Sequence, residues 1–177
     1  MPFEIEKRYI IQDDGWKVLT KEKQELQQAY LSTNFDEWVI RTRIINNKES
    51  ELTLKKSSEL MINHEFEYPI PLKDALCLWD LSTKKLIKHR YQLDLSPGDW
   101  IIDCFMGNNY PLVLAEVELS SKAEVVQKPS WCGQEITGIK KLSNAALAQL
   151  PIADWSAKEL KSFNLEREEP SQSLESI

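Results

Sequence analysis

Acidic and basic side chains recur two residues apart along this chain: Glu4 with Glu6, Arg41 with Arg43, Glu65 with Glu67, Lys88 with Arg90, Glu116 with Glu118, and Lys55 two positions after Thr53. Side chains at i and i+2 of a strand share one face. Each pair would therefore stand side by side on a sheet, with Glu4, Glu6 and Arg8 in a line opposite Phe3, Ile5 and Tyr9. Arginine forks match phosphate oxygens, and carboxylates suit hard divalent cations. The chemistry open to such a set is the capture of a polyanion. A solvated sheet would also alternate polar and apolar residues, but it has no need to sort charge strand by strand.

The elements that must position these pairs are strands for the most part. Alternation predicts strands near Phe3 to Ile11, Gln24 to Ser32, Trp38 to Asn46, Glu51 to Ser57 and Ile62 to Ile70, with Asn46-Asn47 as a turn and Pro69 and Pro71 ending the fifth. Leu72 to Leu81 reads as a helix, its apolar Leu72, Ala75, Leu76, Leu78 and Trp79 recurring at helical spacing. Further strands fit Lys85 to Leu95, Asp99 to Met106 and Leu112 to Leu119, the first two joined through Ser96-Pro97-Gly98-Asp99. Ser120 to Val126 reads as a short helix, Lys128 to Gly133 as a loop, and Asn144 to Leu150 as a second short helix.

At 177 residues with 42% hydrophobic content the chain suits one domain with a substantial core. The reading divides it into a domain over residues 1–155 and a polar tail over 156–177, partly helical or disordered, with disorder expected from Arg167 to Ile177. A net charge of −6 argues against nucleic-acid binding. No stretch approaches the roughly 18 apolar residues of a membrane span, so a cytoplasmic protein is expected. Cys77, Cys104 and Cys132 fit neither a disulfide framework nor paired zinc spacing, and His64 and His89 point away from the charged rows. Glycine-rich phosphate loops are absent, so phosphate binding must rest on side chains.

About eight alternating strands predict a mainly β, α+β fold: an eight-stranded closed antiparallel barrel with short peripheral helices, because an open sheet of that size leaves long unprotected edges. Parity then puts most charges inside and apolar Val39, Ile40, Leu52, Leu54, Phe66, Ile87, Val113 and Val117 outside, under helices and loops. A tunnel bearing Arg41, Arg43, Lys55, Lys88 and Arg90 attracts closely spaced phosphates, whereas Glu4, Glu6, Glu116 and Glu118 repel them unless divalent cations lie between. The competing reading is that these charges only neutralise one another as ion pairs. Six pairs of one parity weigh against it.

These residues also carry a family resemblance. Glu4-Ile5-Glu6-Lys7-Arg8, Tyr30-Leu31, Arg41-Thr42-Arg43, Thr53-Leu54-Lys55, Glu65-Phe66-Glu67, Lys88-His89-Arg90-Tyr91, Asp103 and Glu116-Val117-Glu118-Leu119 follow, in order, the strand motifs of the CYTH superfamily, the triphosphate tunnel metalloenzymes, which the chain resembles over most of its length. The resemblance implies a triphosphate tunnel in which Arg8, Arg41, Arg43, Lys55, Lys88 and Arg90 hold phosphates. It implies Mg²⁺ or Mn²⁺ on Glu4, Glu6 and Glu118, with Glu116 and Asp103 as second choices, and Glu6, Lys88 and Glu118 acting in catalysis.

The implied activity is metal-dependent hydrolysis of a small polyanion, foremost inorganic tripolyphosphate, by in-line water attack. ATP cyclisation, thiamine triphosphate hydrolysis with Trp38 or Trp16 stacking on the organic ring, and binding of polyphosphate or nucleotide without turnover are the alternatives. Two departures from the family pattern stand out. Arg8 occupies the position of a motif lysine, and Ile139-Lys140-Lys141-Leu142-Ser143-Asn144 replaces a stretch like Asp-x-Arg-Tyr-x-Asn, keeping only basic character and Asn144.

Overall fold

The alternation in the sequence becomes nine strands among the described residues. The structure, a computed structural model, describes residues 3–33, 38–59 and 62–165. The strands are β1 (Phe3–Ile11), β2 (Thr20–Thr33), β3 (Val39–Ile45), β4 (Glu49–Glu59), β5 (Ile62–Pro69), β6 (Lys85–Leu93), β7 (Asp99–Phe105), β8 (Val113–Glu118) and β9 (Cys132–Glu135). Antiparallel pairing runs β5-β4-β3-β2-β6-β7-β8-β1, and β1 returns to β5 through Phe3↔His64 and Ile5↔Ile62, closing an eight-stranded barrel. The ninth strand is a short addition beside β1, through Tyr9↔Glu135 and Ile11↔Cys132. It begins inside the stretch expected to be loop.

Local chemistry fixes the corners. Asn46 and Asn47 take positive φ (51° and 54°) in the tight β3–β4 turn, a conformation asparagine tolerates. Gly98, at φ 79°, sits so close beneath β8 that a Cβ would meet Val117 Cγ2 at 2.5 Å. Helix α1 (Leu72–Leu81) lies against β2, β3 and β4 with Ala75 fully buried. Leu76 is exposed, so the apolar stripe is narrower than its sequence suggests, and Trp79 is half-buried with Lys85 Nζ 5.1 Å from its ring centre. Ser120 to Val126 forms turn and coil instead of a helix.

Two apolar clusters hold the barrel. One lies outside it: Tyr9, Trp100, Ile102 and Val117 pack beneath Trp16, Leu119 and Trp131 from flanking segments. The other fills one end of the interior, where Ile10, Leu86, Phe105 and Leu114 meet Leu142 and Leu147. Helix α2 (Asn144–Gln149) closes that end, its Ser143 cap accepting from Ala146 N at 3.2 Å. The expected tail begins with order: Ser156 and Glu159 form a capping box at the start of α3 (Ala157–Ser162), and Leu160, Phe163 and Leu165 pack on the same core. The rest of that tail, including the stretch from Arg167 expected to be disordered, lies outside the described residues. Among the described residues no helix is long and apolar enough to cross a membrane.

Candidate active site

Parity carries the charged pairs inward as expected. Beyond the apolar plug the barrel encloses a cavity of about 1080 Å³ lined by Glu4, Glu6 and Arg8 of β1, Arg41 and Arg43 of β3, Lys55 of β4, Glu65 and Glu67 of β5, Arg90 of β6, and Glu116 and Glu118 of β8. Val39, expected outside, shares the parity of Arg41 and faces the same cavity. Residues 138–145 complete the lining with Gly138, Ile139, Lys140, Ser143, Asn144 and Ala145.

The basic bank is held by acids. Arg41 Nη2 lies 3.2 Å from Glu65 Oε1 and 3.5 Å from Glu67 Oε1, while Arg43 Nη1 lies 2.5 Å from Glu51 Oε1 and 3.5 Å from Glu67 Oε1. Lys55 Nζ is paired with Glu4 and lies 2.8 Å from Glu65 Oε2 and 4.0 Å from Glu6 Oε1. Its own burial would favour the neutral amine, but Glu6, Glu4 and Glu65 together hold it charged well above the usual lysine range. Arg43 goes the other way, drawn down to about 10 by burial and by neighbouring Arg41 and Arg90. The ion-pair reading of the charges is thus part of the structure. It leaves donors over, because Arg41 Nε and Arg43 Nε are buried with no acceptor among the described residues. A buried unpaired N–H is costly, and an anion in the cavity is one remedy.

The acidic wall is crowded. Glu6 and Glu118 are cross-strand partners facing the cavity. Burial pushes Glu4 up to about 8, against the pull of Lys55 and with Glu6 and Glu65 adding to the rise. Its neighbour Glu65, bonded to it and drawn by Lys55 and Arg41 against its own burial, stays ionised far below the usual range. Glu118 is also raised, by burial first and then by Asp99, Glu65 and Glu6. The lining carries seven acidic and six basic side chains, so a polyanion entering it needs added positive charge. The donor chemistry of Glu4, Glu6 and Glu118, carboxylate oxygens crowded along one wall, suits a hard divalent cation. Among the described residues no three acids, histidines or cysteines are already drawn together as a finished cation site.

Two expected site residues lie beneath this layer instead of in it. Lys88 is fully buried; its Nζ is bound to Asp103 and donates to Asn144 Oδ1 at 3.1 Å. Burial brings its pKa down to about 7 against the pull of Asp103. Asp103 accepts from Arg90 Nε and Nη2, both at 2.8 Å, and against its own burial that cation and Lys88 keep it ionised. Neither is among the residues lining the cavity; together they form a buried support for Arg90. Glu116, the other second choice for metal, is taken up by Arg8 Nε at 2.9 Å and Arg90 Nη2 at 3.2 Å.

Arg8 keeps its place in the cavity wall, but its fork turns toward Glu116 and the Leu142 carbonyl. Trp16 and Trp38, considered as stacking groups, are absent from the lining: Trp16 packs on Tyr91 with ring centres 5.1 Å apart, and Trp38 on Phe66 at 6.3 Å. Sequence reasoning missed Gln24, Gln92, Asn63 and Asp99, which line the cavity as neutral or lone acidic side chains. Strand parity with the charged pairs was the signal available for them. Tyr30 was visible as part of a motif; its hydroxyl donates to Gln28 Oε1 at 2.9 Å in the cavity wall.

Comparisons with known proteins agree with this geometry. The profile of the CYTH domain matches residues 2–148. The inorganic triphosphatase of Acetivibrio thermocellus is 35% identical over 154 residues, which cover 86% of this chain and 97% of that protein. The inorganic triphosphatase of Nitrosomonas europaea is 35% identical over 127 residues, covering 70% and 83%. The crystal structure of the inorganic triphosphatase NE1496 superposes with a TM-score of 0.60 at 31% identity, covering 84% of this chain and 95% of the other.

Proposed function

The chain belongs to the CYTH domain family, and on that premise we propose that it hydrolyses inorganic tripolyphosphate to pyrophosphate and orthophosphate. The observation that carries the reading is the opposition, inside one barrel, of a guanidinium bank with unpaired buried donors to a crowded carboxylate wall. In this reading Arg41, Arg43, Lys55 and Arg90 grip the phosphate oxygens, and Arg8 lines the same cavity from β1. Arg90 is pre-aimed by its two bonds to Asp103, which is itself secured by Lys88. A guanidinium fixed before the ligand arrives loses little on binding.

Glu4, Glu6 and Glu118 would hold Mg²⁺ or Mn²⁺. A cation held there would offset charge on the phosphates and make the attacking water easier to deprotonate. The water oxygen forms a bond to a terminal phosphorus in line with the phosphoanhydride oxygen that leaves, and the basic bank stabilises charge spreading over the equatorial oxygens.

Inorganic tripolyphosphate is preferred over ATP or thiamine triphosphate because Tyr30 is the one aromatic side chain among the described lining residues, and its hydroxyl is committed to Gln28. No membrane or nucleic-acid partner is invoked, and the three free thiols suit a cytoplasmic setting. The test is the relative kcat/KM for tripolyphosphate, ATP and thiamine triphosphate. A clear preference for tripolyphosphate supports the reading. Cyclic nucleotide as the main product, or faster turnover of the thiamine ester, overturns it.

A further inference from the structure

Two constraints meet at the single turn Lys140–Leu142. From inside the barrel Arg8 reaches it: Nη2 donates to the Leu142 carbonyl at 3.0 Å while Nε of the same guanidinium donates to Glu116 Oε1 at 2.9 Å. The backbone of Arg8 holds the approach to that turn, its N–H donating to Thr137 Oγ1 at 3.1 Å and its carbonyl accepting from Ile136 N at 2.8 Å. From outside, Lys141 is bound to Glu159, and its Nζ lies 4.3 Å from the centre of the Trp155 ring. Trp155 and Glu159 lie beyond the residues 2–148 matched by the family. Between the two constraints, Lys140 lines the cavity and Leu142 is fully buried in the apolar plug.

We propose that Arg8 is a positioning residue, fastening the turn Lys140–Leu142 to the β8 wall while Glu159 braces it from behind, so that Lys140 is presented to the polyanion at a fixed place. An arginine suits this geometry: a guanidinium donates to two separated acceptors from one rigid plane, whereas an ammonium must serve both from a single nitrogen. Arg8 and the turn Lys140–Leu142, far apart in the sequence, are thus bonded directly to each other.

The inference rests on the triphosphatase reading for its consequence but not for its geometry, and two measurements on the full-length protein separate them. Amide hydrogen exchange over residues 138–145 in Arg8→Lys and Lys141→Ala reads the fastening without substrate; Lys141→Ala keeps that arm informative should Arg8→Lys fold poorly. The Leu142 and Ser143 amides are expected to exchange at least about tenfold faster in either variant. The tripolyphosphate KM of Lys140→Ala, Arg8→Lys and the double variant reads the consequence. Lys140→Ala is expected to raise KM about tenfold in the wild-type background and less than about twofold beside Arg8→Lys. Unchanged exchange in both variants, or fully additive effects on KM, overturns the proposal and leaves Arg8 as a direct phosphate ligand. A wild-type protein that releases no phosphate refutes the triphosphatase reading alone, since exchange still decides the fastening.

Discussion

Glu6 and Glu118 stand directly opposite each other on adjacent strands, and both carboxylates face the cavity. Like charges placed so destabilise a sheet, so the pair is a cost of folding that binding a cation would repay. Glu6→Gln relieves that repulsion but gives up the 4.0 Å pairing with Lys55, so the stability of the cation-free protein is expected to change by less than about 1 kcal/mol while metal-dependent phosphate release falls about 10- to 100-fold. Urea unfolding in chelator and a phosphate assay check both. A larger loss of stability together with unchanged turnover would contradict the assignment.

Arg41 ties β3 to Glu65 and Glu67 and retains a buried, unpaired Nε. Removing it should cost binding more than chemistry. Arg41→Ala is expected to raise the tripolyphosphate KM by about 10- to 100-fold, corresponding to about 1.5–3 kcal/mol for a lost charged contact, with a smaller effect on kcat. Steady-state kinetics would expose the error if kcat fell and KM held.

Glu4 gives the molecule a pH dependence whose sign is fixed. Burial raises its folded value to about 8 from an ordinary 4.5, so the native state holds an extra proton between those limits. The stability it contributes is full below about pH 4.5 and is lost as pH rises toward 8. Glu65, depressed by Lys55 and Arg41, acts in the opposite sense and only as pH falls below the ordinary carboxylate range. In chelator, wild-type urea midpoints should therefore decline from pH 5 to 8, and Glu4→Gln should flatten that decline. Glu118, also raised, leaves a residue of the slope. An identical slope in the Gln variant would remove Glu4 from the explanation.

Asp103 is the shared anion of Lys88 and Arg90 in a place without solvent. Asp103→Ala leaves the buried Lys88 and the cavity-lining Arg90 with one partner fewer, and a broken buried pair such as that of Lys88 costs about 3–5 kcal/mol. Chemical denaturation is the check. A loss below about 1 kcal/mol would mean that the network is more solvated than its burial indicates.

The barrel and its charged interior were legible because strand parity is strict within a strand: Glu4 must share a face with Glu6 and Arg41 with Arg43, and the apolar residues alternating with them left the interior as the place where both charged rows meet. Depth was not legible. Lys88 and Arg90 have the same parity and residue class, yet Lys88 lies beneath the cavity floor and Arg90 in it, because position along a tilted strand depends on the shear of the closed barrel. The apolar plug was hidden for a related reason. Leu86, Phe105 and Leu114 continue the same inward rows as the charges, and only their meeting with α2 shows that one end is filled. Ser120 to Val126 misled because its small and apolar residues imitate a short helix, whereas the strands on either side leave it turn geometry.

Phosphate release from inorganic tripolyphosphate by the purified protein, with Mg²⁺, with Mn²⁺ and with chelator, decides whether the barrel is a metal-dependent triphosphatase. The expected result is turnover that requires either cation, vanishes in chelator and yields orthophosphate and pyrophosphate in equal amounts. No release under any of these conditions, while tripolyphosphate still binds, would contradict the claim and leave the barrel as a polyanion-binding module.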